Sequence, residues 1–229
     1  MHPTKLQGII PPMITPLKGD DELDREGAVR LTEHLVAGGA HAIFLLGTTG
    51  EAQSLTYRLR YEFVELVCRQ VAGRVPVLVG VTDTAFIESI RLAEHAAKCG
   101  AVGVVAAPPY YFAPSQQELI EYYTALADAL PLPLFLYNMP SHVKVFLEPA
   151  TVKTLAEHPN IVGLKDSSAN MTYFQTLLYH LGDREDFALY VGPEELTGES
   201  VVMGADGGVN GGANIFPELY VQMYYAACN

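Results

Sequence analysis

Apolar residues along this chain fall in eight short runs at roughly regular intervals. They are "GIIPPMIT" from position 8, "AIFLLG" from 42, "VPVLVGV" from 75 and "VGVVAAPP" from 102. The series continues with "PLFLYN" from 133, "IVGLKD" from 161, "FALYVG" from 187 and "GGVNGG" from 207. Each is too short for a helix, and several lack the alternation of a half-exposed strand, as strands covered on both faces do. Between them, apolar positions recur at helical spacing. "DREGAVRLTEHLVAGG" starts at a predicted N-cap, Asp24, and stops at Gly38 and Gly39. "TAFIESIRLAEHAAKCG" follows the same plan and stops at Gly100. "SQQELIEYYTALADAL" opens with Ser115 and Glu118 spaced as a capping box. "EPATVKTLAEHP" places Pro149 in a first turn, where the missing N–H costs nothing.

Eight strand-like runs, each followed by a helix, predict an α/β protein, a (β/α)8 barrel, in a single domain over residues 1–229. An open doubly wound sheet is the alternative, but no GxGxxG follows the first run, and eight near-regular units favour closure. The eighth run rests on spacing more than on pattern. The sequence ends in "YYAACN", inside the expected eighth helix.

Composition narrows the function. With 49% hydrophobic and 17% charged residues, a large core is expected and disorder is not. A net charge of −12 and the lack of basic runs argue against nucleic acid and against an anionic membrane surface as partners. Three cysteines, Cys68, Cys99 and Cys228, form neither a CxxC pattern nor a disulfide framework and read as thiols of a reducing compartment. "MHPTKLQG" lacks an apolar signal core and no run reaches membrane-spanning length, so a cytoplasmic protein is expected.

In a (β/α)8 barrel the active site is built at the C-terminal ends of the strands. Those ends carry "GTTGE" with Thr48 and Thr49, "PPYYFAPS" with Tyr110 and Tyr111, and "YNMPSHVK" with Tyr137, Asn138, His142 and Lys144. They also carry Lys165 and Asp166, then "VGPEE", then "GGVNGGAN". Because side chains alternate along a strand, Gly163 and Lys165 share one face while Val162 and Leu164 share the other. If the latter pair packs on helices, Lys165 points into the barrel mouth. Tyr137 ends the preceding strand, about 4.8 Å away, so a phenol comes within reach of the amine. An amine kept dry loses its proton more readily, condenses with a ketone to an iminium, and so permits C–C chemistry next door while a phenol moves protons. The two threonines offer hydroxyls and backbone N–H groups to a carboxylate.

Each part alone has a plainer reading. A lysine after a strand is more often solvated, Gly-Thr turns introduce many helices, and paired tyrosines often just pack a loop. "GADGGVNGGAN" suits a phosphate cradle less well than a barrel strand that uses glycine where space is short. No metal-ligand spacing appears, and neither a metal nor another cofactor is expected. What stands out is the coincidence of reactive types on one rim.

"GTTGE", "PPYYFAPS", "YNMPS" and "GLKDSS", in this order, resemble the dihydrodipicolinate synthase/N-acetylneuraminate lyase family over a stretch from about Leu6 to the last residue. The resemblance implies a (β/α)8 barrel, a homo-oligomer (dimer or tetramer), and a Schiff base with pyruvate or a related 2-oxo acid as small-molecule substrate. It implies that Lys165 is the Schiff-base lysine and Tyr137 the proton-transferring tyrosine. Thr48 then links that tyrosine to a second one, matched by Tyr111 and borrowed across the dimer interface. Thr49 becomes the ligand of the pyruvate carboxylate, and Gly192 and the backbone of Val209 line the same pocket. Family members also continue for further helices, so the barrel is expected to lack its C-terminal extension.

The synthases follow "YN-x-PS" with an arginine that grips the aldehyde's carboxylate; this chain has His142, with Lys144 two residues on. Replacing a bidentate fork by an imidazole, largely neutral at pH 7.5 when unperturbed, is not conservative. The expectation is a Schiff-base lyase or aldolase acting next to a pyruvate unit, with a sugar-acid or other aldehyde partner favoured. Dihydrodipicolinate synthase itself, a Schiff-base sugar-acid dehydratase and a non-catalytic barrel are the alternatives. Feedback inhibition by lysine is not expected, because Tyr57 and Arg60 stand where inhibited synthases use histidines, and the charge of Arg60 would repel a cationic amino acid.

Overall fold

In the computed structural model residues 5–229 are described; the first four residues of the expected 1–229 domain lie outside them. Eight parallel strands form one sheet: β1 (Gly8–Ile9), β4 (Ile43–Leu45), β5 (Val77–Gly80), β6 (Gly103–Ala106), β7 (Leu134–Asn138), β8 (Ile161–Asp166), β9 (Ala188–Val191) and β10 (Gly207–Gly208). The strands pair in the order β1-β10-β9-β8-β7-β6-β5-β4. A parallel bridge from Pro12 to Phe44 joins the ends of this series, with the Met13 amide donating to the Phe44 carbonyl at 2.8 Å. The sheet therefore closes into the expected (β/α)8 barrel. A small antiparallel hairpin, β2 (Leu17–Gly19) with β3 (Glu22–Leu23), interrupts the first crossover and was not anticipated.

The strands read as unbroken apolar runs because both faces are covered. Every residue of β4, β5, β6, β7 and β9 is buried, one face packing on helices and the other filling the lumen. The helices are α1 (Arg25–Ala37), α2 (Tyr57–Val71), α3 (Phe86–Lys98), α4 (Gln116–Ala129), α5 (Pro140–Val143), α6 (Pro149–Leu155), α7 (Met171–Leu181), α8 (Thr197–Val202) and α9 (Pro217–Cys228). Their starts follow the local chemistry. Asp24 accepts from the Gly27 amide, and Ser115 and Glu118 form the complete capping box. Pro149 sits in the first turn of α6.

The weakest expected strand, β10, is two residues long because it runs against β1 at van der Waals limit. Gly207 pairs with Gly8, and a Cβ on Gly207 would lie 1.9 Å from the Gly8 carbonyl oxygen. Gly207 and Gly208 thus serve close packing of this strand against its neighbours. Asp206 just before them accepts from the Leu189 amide and pairs with Lys5 at 2.9 Å, tying the start of the chain to the base of the barrel.

Among the described residues, no helix is long and apolar enough to cross a membrane, and no His/Cys/Asp/Glu group could hold a metal ion.

Candidate active site

Each of the eight barrel strands, or the residue just past it, contributes one side chain to the centre of the lumen. Seven are apolar or aromatic, Phe44, Leu78, Phe135 and Tyr190 among them; the eighth is Lys165. Strand alternation puts it there: Leu164 is fully buried on the outer face, and Lys165 turns inward with only 7% of its surface exposed. Of the two readings the sequence left open, the solvated lysine is therefore excluded. None of the ion pairs among the described residues involves this amine. Its nitrogen instead lies 4.4 Å from the centre of the Tyr137 ring and 5.4 Å from that of Phe44.

Tyr137 is the register partner of Lys165 on β7 and is 5% exposed. Its hydroxyl shares a hydrogen bond of 3.2 Å with the Thr48 hydroxyl. Burial on its own pushes the phenol pKa up, but the charge of Lys165 and hydrogen bonds from Thr48, Ser167 and Lys165 outweigh it. The pKa settles below the ordinary phenol value. A phenol tuned this way gives up its proton more easily than a free one, next to an amine.

Thr48 follows β4 on a sharp turn: Leu46 has φ +57°, and a Cβ on Gly80 would come within 2.2 Å of the Leu46 carbonyl oxygen. That tight fit of β4 against β5 lifts "GTTGE" over the rim. Thr49 faces the other way, towards the last strand, where a Cβ on Gly211 would lie 3.8 Å from its hydroxyl. Gly192 donates its amide to the Asp166 carbonyl at 2.7 Å, and a Cβ there would lie 2.1 Å from the Ser167 hydroxyl. Val209 is buried and lines the lumen beside Lys165.

A cavity of about 350 Å³ opens above this floor, lined by Thr48, Tyr137, Tyr110, Gln53, Thr82 and His142 among others, with no lysine or arginine in its wall. His142 rides on the single helical turn α5, its ring held by the Ser141 hydroxyl at 3.0 Å. Lys144 does not join it. The segment turns helical after Pro140, and Lys144 caps the turn with φ +59°, exposed and outside the cavity wall. Tyr111 is also absent from the site of its own chain. It is 78% exposed, its ring edge-on to Phe112, while Tyr110 lines the cavity instead.

Two features escaped sequence reasoning. Ser167 reaches the Tyr137 phenol; one further step of the alternation that turns Lys165 inward points to it. Asn138 and Asp166, the next register pair, are buried and hydrogen-bonded at 2.8 Å. Burial pushes Asp166 above the usual carboxylate range, against the hydrogen bonds from Asn138 and from the amide and hydroxyl of Ser168. A second cavity, about 370 Å³, opens at the opposite end among the strand starts. Its one lysine, Lys5, is already bonded to Asp206, and it gathers no comparable set of reactive groups.

The profile of the Dihydrodipicolinate synthetase family matches residues 5–229. The structure superposes with a TM-score of 0.96 on dihydrodipicolinate synthase from Bacteroides thetaiotaomicron, 60% identical over 99% of this chain and 76% of that one. With YagE, a prophage protein of Escherichia coli solved in complex with pyruvate, the TM-score is 0.92 at 34% identity, covering 96% of this chain and 74% of that one. In sequence, 4-hydroxy-tetrahydrodipicolinate synthase of Methanospirillum hungatei is 36% identical over 96% of this chain and 76% of its own length. By its sequence and by its closed barrel, the chain belongs to the dihydrodipicolinate synthetase family of class I lyases, which form a Schiff base with pyruvate.

Proposed function

We propose that this protein makes or breaks a C–C bond next to a pyruvate unit whose partner is a hydroxylated or otherwise uncharged aldehyde, as in a 2-oxo-3-deoxy sugar acid. In this reading Lys165 attacks the pyruvate carbonyl carbon, water leaves, and an iminium forms. Loss of a C3 proton gives an enamine that attacks the aldehyde carbon; hydrolysis then frees the amine. Tyr137 carries the protons, assisted by Thr48. Thr49 binds the pyruvate carboxylate in a pocket walled by Gly192 and Val209. Tyr111, exposed in one chain, completes the relay from a second copy, so the active form is a homo-oligomer. Relatives solved with pyruvate bound, YagE and the synthase of Acinetobacter baumannii, support pyruvate as the common substrate.

The observation that carries the choice of partner is the cavity wall. Gln53, Thr82 and Tyr110 offer uncharged donors and acceptors, His142 an imidazole, and no lysine or arginine faces the space where a second carboxylate would sit. Hydroxyl groups suit that wall; a carboxylate stripped of water there lacks its counter-charge. A likeness to a putative 2-dehydro-3-deoxy-D-gluconate aldolase, YagE, at 34% identity is in keeping with this.

A second reading, dihydrodipicolinate synthase, has its own support in the 60% identity to the Bacteroides thetaiotaomicron protein of that name. A panel decides between them: kcat/KM for pyruvate with aspartate semialdehyde, set against cleavage of 2-oxo-3-deoxy sugar acids and N-acetylneuraminate. Tenfold preference for the semialdehyde hands the assignment to the second reading. Release of water without C–C cleavage from a sugar acid identifies a dehydratase instead.

A further inference from the structure

The segment that carries His142 leaves β7 at Asn138, makes the turn α5, and returns through residues 144–148 to the start of α6. On this return leg Val145 and Leu147 are buried while Lys144 and Glu148 are exposed, and the segment pairs with no strand of the sheet. Its backbone polar groups are met by two side-chain amides. From inside, the Asn138 side-chain oxygen accepts from the Leu147 amide at 3.1 Å. From outside, Gln116 of α4 donates to the Phe146 carbonyl at 2.7 Å and accepts from the Glu148 amide at 3.1 Å. Three consecutive residues are thus held through their main chain, whatever their side chains. The other end of the Asn138 amide donates to Asp166, the neighbour of Lys165, and the Ser167 amide donates to the Asn138 carbonyl at 2.8 Å. Loop and Schiff-base strand share one buried joint.

We propose that Asn138 and Gln116 are positioning residues that clamp the backbone of residues 146–148, making the His142-bearing loop a fixed wall of the substrate pocket held in register with Lys165. Neither touches the reacting atoms. Asn138 lies on the outer face of β7, and Gln116 lies on a helix outside the barrel. The inference rests on the reading of the cavity as the seat of the second substrate. Its consequence is that recognition of the aldehyde depends on the clamp, while pyruvate adduct formation at Lys165 does not.

Two readouts test it. Hydrogen exchange should show the Leu147 and Glu148 amides protected in the wild type and exchanging at least tenfold faster in Gln116→Ala, with β8 unchanged. In steady state, with pyruvate and whichever of D-glyceraldehyde and aspartate semialdehyde the wild type uses better, Gln116→Ala should raise the aldehyde KM about five- to tenfold. Borohydride trapping of pyruvate should stay within about twofold. Asn138→Asp keeps the acceptor for Leu147 but sets a carboxylate against Asp166. Adding Asp166→Asn restores a donor–acceptor pair and should bring the aldehyde KM back to within about threefold, a rescue that a general loss of folding would not give. Unchanged exchange at residues 147 and 148 in a folded Gln116→Ala protein overturns the clamp, as does a parallel fall in trapping and aldehyde use. A wild type that traps no pyruvate overturns the reading of the site itself, and the inference with it.

Discussion

Lys165 and Tyr137 are register partners on adjacent parallel strands, and the lysine nitrogen sits 4.4 Å from the centre of the tyrosine ring. Parallel pairing of this kind sends both side chains to the same side of the sheet. Because β7 and β8 each end at this point, both functional groups stop at the rim, with apolar lumen beneath and the cavity above. In the proposed reaction the amine makes the bond and the phenol handles the protons. Incubation with pyruvate and borohydride should therefore add one reduced pyruvate per chain, on the peptide containing Lys165. Lys165→Ala should lose the adduct, and labelling that survives this substitution would show that another amine does the chemistry.

The Tyr137 phenol is held below its ordinary pKa by opposing effects that can be separated. Thr48→Val keeps the shape of the side chain and removes one of the hydrogen bonds that stabilise the phenolate. The pKa should then move up, so the alkaline limb of a kcat profile governed by this group should shift to higher pH. Turnover should fall along with it, since the relay has lost a partner. Tyr137→Phe should fold and lose about 10²–10⁴-fold in kcat, the usual contribution of a positioned acid–base group. An unshifted alkaline limb in Thr48→Val would mean that Tyr137 does not set it.

Much of this architecture was legible in the residues. Eight apolar runs, several without alternation, announced strands buried on both faces, and Asp24, Ser115 and Pro149 marked helix starts that the fold uses. Alternation alone turned Lys165 inward. What stayed hidden depends on contacts between distant segments. Tyr111 and Tyr110 are adjacent and chemically alike, and only the path of the chain after β6 decides that Tyr110 faces the cavity and Tyr111 faces solvent. Asn138 read as a strand end because its partners, Asp166 and Leu147, lie 28 and 9 residues away. The hairpin at residues 17–23 has strands too short to show any period.

Arg60 changes the reason for expecting no inhibition by lysine. It does not project towards an incoming cation as an unpaired charge. It is 7% exposed, bonded to Asp83 at 3.0 Å and to the Leu55 carbonyl at 3.2 Å, and packed over the Tyr57 ring. The Tyr57 hydroxyl donates to the same carboxylate. Asp83, which could have greeted an ammonium group, is thus already fully engaged, and freeing it would strand a buried guanidinium. Free lysine at millimolar concentration should leave the initial rate unchanged. A saturable inhibition curve would show that this cluster opens.

His142 offers the most direct control over the second substrate. It lines the cavity on a one-turn helix, its ring steadied by Ser141, and no arginine or lysine shares that wall. An imidazole presents one or two ring nitrogens to a ligand, whereas a guanidinium presents a planar fork that matches both oxygens of a carboxylate. Lys144, the nearest basic residue in sequence, cannot stand in, because the turn that ends α5 directs the chain away before it. His142→Arg should therefore import the missing counter-charge. A charged hydrogen bond contributes about 1.5–3 kcal/mol, so kcat/KM for aspartate semialdehyde should rise by roughly 10–100-fold. The same substitution fills part of a 350 Å³ cavity and removes the imidazole from its wall, so cleavage of 2-oxo-3-deoxy sugar acids should fall. Side-by-side kinetics of the two proteins on both substrate classes measure the exchange. If the arginine leaves semialdehyde use unchanged, the far end of the pocket is not where the second carboxylate would bind, and the choice of partner is made by other residues of the wall.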